Sequence, residues 1–254
     1  MSKNVELYKL GQSLWYDNIQ RKLINDGSLQ KMIEDGDIYG VTSNPSIFMK
    51  AIAKSSDYDA AIKPLVQKGL SADEIFWELA VQDIQAGADL LRPLYDRTNK
   101  GDGYISLEVD PNLANDTETT ISEAKRLWKW VNRPNLCIKI PATPAGIPAI
   151  RAAIAAGINV NVTLIFAPDR YVDVMNAHIS GLEDRAAAGL AAVAGLHAPG
   201  CCAQRHLFPG ADLADVRSQY SAGGQPAYRD DALHRLLPGL PDAGTGRARA
   251  GSGG

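Results

Sequence analysis

Long apolar runs are missing from this chain of 254 residues, so no membrane-spanning helix is expected. Cysteine is scarce. Three are present, and the adjacent Cys201 and Cys202 suit neither a disulfide framework nor a CxxC metal site. No metal is therefore expected. Net charge is also nearly absent: a formal −3 offers no basic field for nucleic acid and no polybasic patch for a membrane. The opening Met1-Ser-Lys-Asn-Val-Glu-Leu-Tyr-Lys has no apolar core of a signal peptide, and the expected location is the cytoplasm.

Lysine stops early. None follows Lys139, and residues 191–254 lack Ile as well, while holding 11 of the 23 glycines and three of the four histidines. Apolar periods of 2 or 3.6 do not persist there, and the segment closes on Thr245-Gly-Arg-Ala-Arg-Ala-Gly-Ser-Gly-Gly. Two readings fit: a disordered tail rich in Gly, Ala, Pro and Arg, or GC-rich coding sequence translated out of frame. Either way the expected organisation is a structured 1–190 and an unrelated 191–254.

What is present before Leu190 is strand and helix in alternation. The apolar 45% and charged 22% are ordinary for a soluble globular domain. Strands are expected at Leu14–Asp17, Ile38–Asn44, Ile105–Asp110, Leu136–Thr143 and Ile158–Phe166. Ser71-Ala-Asp-Glu74 is a capping box opening a helix through Ile75, Leu79, Ile84 and Leu90. Thr120–Val131 carries apolar residues at helical spacing. Pro144–Ala156 should stop at Gly157, and a helix from Asp169 should end near Gly181. The long gap between Asn44 and Glu108 must hold more than one helix. Such alternation argues for βαβ units and a parallel sheet.

The strands themselves have one polar face. Ser106, Glu108 and Asp110 alternate with Ile105, Leu107 and Val109; Cys137 and Lys139 alternate with Leu136, Ile138 and Ile140. Asn159, Asn161 and Thr163 do the same in the last strand, Thr42 and Asn44 share a face in the second, and Asp17 ends the first. A sheet covered by helices on both faces should read as continuously apolar. A polar face concentrated towards the C-terminal strand ends instead fits the interior of a (β/α)₈ TIM barrel, here with five β/α units. The expected fold class is thus α/β, barrel type.

Lys139 is the residue in this set with the most chemistry. An ammonium set among isoleucines is costly to bury unless it is paired or loses its proton, and a deprotonated lysine is a nucleophile for carbonyl carbon. The alternative is an edge-strand lysine reaching into water.

Four segments carry a specific resemblance: Val41-Thr-Ser-Asn44-Pro-Ser-Ile-Phe, Leu107-Glu108-Val-Asp, Ile138-Lys139-Ile-Pro-Ala-Thr143 and Ile158-Asn-Val-Asn161-Val-Thr163-Leu-Ile-Phe. In this order they resemble transaldolase, in its long bacterial branch and in the transaldolase half of fusions with glucose-6-phosphate isomerase. The likeness runs from about residue 4 to Leu190. It implies a Schiff-base transfer of a dihydroxyacetone unit from sedoheptulose 7-phosphate to glyceraldehyde 3-phosphate, in the non-oxidative pentose phosphate pathway, without cofactor. It further implies Lys139 as nucleophile, Asp17 as acid/base on the C4 hydroxyl, and Glu108 with Thr163 as holders of the imine water. Asn44 and Asn161, with Thr42, would bind the dihydroxyacetone hydroxyls. Read singly, Asn44 before Pro45 is equally a turn former, and Asn161 a satisfied core amide.

The implied partners are sugar phosphates, with neither nucleic acid nor membrane; a homo-oligomer is compatible with the sequence. The family's later strands and its phosphate-binding serine and arginine have no matching motif in residues 191–254, where Arg205, Arg217 and Arg229 stand without context. Five strands alone would leave two open edges and exposed apolar surface. The resulting expectations are a transaldolase, a related Schiff-base aldolase, or an inactive, poorly folded product of a truncated or frameshifted frame.

Overall fold

Between Lys3 and Leu190, the residues that the computed structural model describes, five short strands alternate with helices. A short helix α1 (Lys3–Lys9) precedes β1 (Trp15–Asp17); α2 (Arg21–Asn25) and α3 (Ser28–Glu34) lead to β2 (Gly40–Thr42). The long gap holds α4 (Pro45–Lys54), α5 (Asp59–Gln67) and α6 (Ala72–Arg97), then β3 (Tyr104–Glu108). After it come α7 (Thr117–Val131), β4 (Leu136–Pro141), α8 (Gly146–Ala155), β5 (Val160–Thr163) and α9 (Pro168–Ala187). Expectations about residues 191–254, including the out-of-frame reading, lie outside the described residues.

All four strand pairings are parallel and the sheet order is β1-β2-β3-β4-β5, the order of the chain. This is a partial (β/α) barrel, as expected. Parallel neighbours require a crossover, and each crossover helix buries its apolar stripe on the outer face of the sheet. Ile105, Leu107, Ile138, Ile140, Val160 and Val162 meet Ile84, Leu91, Leu127, Ile150 and Ile154 in one continuous core. Such burial contributes ~25 cal/mol per Å² of apolar surface removed from water.

Local chemistry sets the element ends. Ser71 Oγ accepts from the Glu74 amide while Glu74 Oε2 accepts from the Ser71 amide, the expected capping box of α6. β2 and β3 end earlier than expected because their last polar residues cap the next helical turn. Asn44 is the N-cap of α4 rather than the end of β2, and Asp110 accepts from the Asn112 amide to start a short turn after β3. Leu164 leaves β5 with φ at 62°, a left-handed conformation that leucine adopts only under strain.

The helix from Asp169 does not end near Gly181 but continues to Ala187. Gly181 serves close approach instead: a Cβ built there would lie 2.7 Å from the Arg151 carbonyl oxygen and 2.9 Å from Ile154 Cβ. A glycine that reads as a stop in sequence is here the crossing point of α8 and α9.

Away from the sheet, Arg21 Nε donates to Asp83 Oδ1 at 2.7 Å and Tyr58 Oη donates to Asp83 Oδ2 at 2.8 Å. The Arg21 guanidinium also lies 4.7 Å from the centre of the Tyr58 ring. This buried clasp ties α2 to α6 and to the turn before α5.

Candidate active site

Register decides which polar side chains meet. Glu108 is paired with Lys139 across β3 and β4, and Lys139 with Asn161 across β4 and β5, so three polar residues share one rung of the inner face. Thr163 stands two residues further along β5, opposite Pro141, on the same face. Thr42 stands nearer the strands' N-terminal ends, opposite Asp17 of β1, and Thr42 Oγ1 accepts a hydrogen bond from Ser106 Oγ at 2.9 Å. Asn44 lies past the end of β2. Its Oδ1 accepts from the Ile47 amide at 3.0 Å, and it borders a crevice with Phe48, Phe76, Trp77 and Glu108.

Lys139 lies on neither edge strand. Its side chain is 13% exposed, and Nζ stands 3.4 Å from Glu108 Oε2 while donating to the Ser43 carbonyl oxygen at 3.3 Å. The isoleucines at 138 and 140 point to the opposite, helix-covered face. The expected apolar enclosure is therefore corrected: the amine sits between a carboxylate and a carbonyl. The cause is strand alternation, which sends sequence neighbours to the other side of the sheet.

Burial raises the Glu108 carboxyl above the ordinary carboxylate range, with Lys139 working against that shift and the Asp17 charge adding to it. Asp17 is exposed, on the first of the described strands, yet close enough for its charge to be felt at Glu108. Asn161 is 4% exposed and buried beside the lysine's rung. Lys139, Glu108 and Asn161 are thus brought together directly, Thr42 and Thr163 stand along the strands on either side of their rung, and Asp17 and Asn44 border them.

Two residues not singled out as candidates hold this arrangement. Ser43 and Ser106 are fully buried, and Ser43 Oγ donates to the Ser106 carbonyl at 2.7 Å. Ser106 is visible in the sequence on the polar face of its strand. Ser43 acts through its backbone carbonyl on a lysine 96 positions away, which leaves no local signature.

Among the described residues no group of three His, Cys, Asp or Glu stands together in a way that could hold a metal ion. No helix among them is long and apolar enough to cross a membrane.

A parallel β/α sheet with a lysine–glutamate pair on its inner face, at the C-terminal strand ends, defines a barrel-class α/β protein. The sequence model of the transaldolase/fructose-6-phosphate aldolase family matches residues 14–199. A transaldolase of Saccharopolyspora erythraea is 49% identical over 189 residues, which is 74% of this chain and 51% of that protein. A Nostoc protein named transaldolase 2 is 48% identical over 185 residues, 73% of this chain and 49% of that one. A transaldolase of Thermobifida fusca is 49% identical over 184 residues, 72% and 50% of the two chains. The chain belongs to the transaldolase/fructose-6-phosphate aldolase family, and it spans about half the length of the curated relatives it matches.

Proposed function

We propose that residues 3–190 carry the Schiff-base site of a transaldolase, with Lys139 as the nucleophile. The observation that carries this reading is the Lys139–Glu108 pair, 3.4 Å apart, on the inner face of a parallel β/α sheet. The Lys139 amine adds to the C2 carbonyl of a ketose phosphate such as sedoheptulose 7-phosphate, and the carbinolamine loses water to give a protonated imine. Asp17 takes the proton of the C4 hydroxyl. The C3–C4 bond breaks, its electrons move into the imine to leave an enamine, and the aldose departs.

The enamine attacks the aldehyde carbon of glyceraldehyde 3-phosphate, Asp17 returns the proton, and water hydrolyses the new imine to free Lys139. Glu108 and Thr163 hold and activate that water; Asn44, Asn161 and Thr42 bind the dihydroxyacetone hydroxyls. Positioned acid/base groups of this kind contribute about 10²–10⁴ in rate. The raised Glu108 carboxyl supports such a role, since a carboxyl shifted upward exchanges protons closer to neutral pH. The reading places the reaction in the non-oxidative pentose phosphate pathway, in the cytoplasm, with sugar phosphates as partners and no cofactor.

Borohydride reduction in the presence of fructose 6-phosphate tests it. A reduced three-carbon adduct should form on Lys139 and disappear in Lys139→Ala. A wild-type chain that is folded by circular dichroism yet acquires no adduct overturns the reading, and then fits a catalytically silent product. A second reading is favoured by the family itself, which includes fructose-6-phosphate aldolase too. Release of free dihydroxyacetone without an acceptor aldehyde would favour that aldolase.

A further inference from the structure

The tip of β2 reaches Lys139 by a route that no side chain of the proposed site supplies. Backbone pairing between β2 and β3 joins Gly40 to Tyr104 and Val41 to Ile105. One residue further on, side chains take over. Ser106 Oγ donates to Thr42 Oγ1 at 2.9 Å, and Ser43 Oγ donates to the Ser106 carbonyl at 2.7 Å. Both serines are fully buried, out of reach of competing solvent. The next residue, Asn44, is fixed by its cap to the Ile47 amide. The Ser43–Asn44 peptide is therefore anchored on both sides, and its carbonyl oxygen accepts from Lys139 Nζ at 3.3 Å.

We propose that Ser43 is a positioning residue for Lys139: its buried hydroxyl pins the peptide whose carbonyl aims the amine. The inference rests on Lys139 being the nucleophile proposed above. An amine must present its lone pair along the line of attack, and a displacement of about 1 Å lowers such a rate by around 10². The Glu108 carboxylate supplies charge on one side of Nζ, while the Ser43 carbonyl supplies a fixed direction on the other.

The full chain is compared with Ser43→Ala, Ser43→Cys and Ser43→Thr by two readouts. Competitive acetylation with acetic anhydride across pH, followed by mass spectrometry at Lys139, requires no turnover. The charged groups facing the amine are Glu108 from β3 and, further away, Asp17 from β1, and neither is altered in these variants. Loss of a well-aimed carbonyl acceptor frees the amine from its fixed direction, so Lys139 is labelled at a different rate in Ser43→Ala than in wild type. Ser43→Thr keeps the hydroxyl and restores the wild-type profile. Ser43→Cys, nearly the same size but a weak donor, gives the answer where Ser43→Ala does not fold.

In the borohydride trap, Ser43→Ala forms the Lys139 adduct about tenfold or more slowly, with KM for fructose 6-phosphate little changed. An unchanged labelling profile in Ser43→Ala overturns the proposal, as does a Ser43→Thr profile displaced as far as that of Ser43→Ala. Absence of any adduct in the wild-type chain overturns the Schiff-base reading instead, and the labelling profiles still decide the contact between Ser43 and Lys139.

Discussion

Lys139 Nζ and Glu108 Oε2 lie 3.4 Å apart on directly paired residues of adjacent parallel strands. The pair is only partly desolvated, with the two side chains 13% and 15% exposed. Even so, burial outweighs the lysine's attraction, and the Glu108 carboxyl is raised. A raised carboxyl favours the protonated form in the folded state. Its contribution to stability is complete at pH below the unfolded carboxyl value and is lost as pH rises through the higher, folded value.

Glu108→Gln removes that loss. The melting temperature of Glu108→Gln relative to wild type should therefore rise between pH 4 and pH 7, as followed by circular dichroism. A difference that stays flat or falls over that range contradicts the shift. The rate of adduct formation should drop about 10²–10⁴-fold in the same variant if Glu108 handles the imine water.

Asp83 accepts from both Arg21 and Tyr58, and its side chain is 3% exposed. Asp83→Ala takes the charged partner from the partly buried Arg21, which keeps the Leu79 carbonyl and Gln82 Oε1 as acceptors, and should lower unfolding stability by about 3 kcal/mol. Tyr58→Phe removes one neutral donor and should lower it by about 1–3 kcal/mol. Urea denaturation measures both, and the prediction fails if the two variants are equally stable.

Gly181→Ala sets two effects against each other. Alanine gains about 1 kcal/mol of helix propensity over glycine, but its Cβ would come within 2.7 Å of the Arg151 carbonyl in the neighbouring helix. Overpacking of this kind costs about 1–3 kcal/mol, so a net destabilisation is expected in urea. A stabilised variant would show that α8 and α9 separate freely.

Leu164 combines a φ of 62° with a side chain that is largely out of contact, the residue being 55% exposed. Leu164→Gly relieves a left-handed leucine worth about 1–2 kcal/mol and gives up little burial. A higher urea midpoint is expected. Phe166, close by at 88% exposure, leaves an apolar surface that Phe166→Ser should make less prone to association, as seen by light scattering.

The strand alternation at Ile105–Glu108 and Leu136–Ile140 is readable because a two-residue period survives in any β-strand with two unlike faces. It correctly puts Glu108, Lys139 and Asn161 on one face, and the register then sets them side by side. Strand ends are less readable. Asn44 and Asp110 look like further polar-face residues, but their side chains bind amides two or three residues onward and turn the chain. Gly181 misleads because close helix packing and a helix stop call for the same residue. Ser43 is invisible: what it offers Lys139 is a main-chain oxygen, which every residue possesses.

The strand order β1-β2-β3-β4-β5 has a consequence for biosynthesis. Among the described strands, each can dock beside its predecessor as it leaves the ribosome. The lysine meets its carboxylate when β4 docks on β3, and β5 then arrives on the other side of β4 and sets Asn161 beside it.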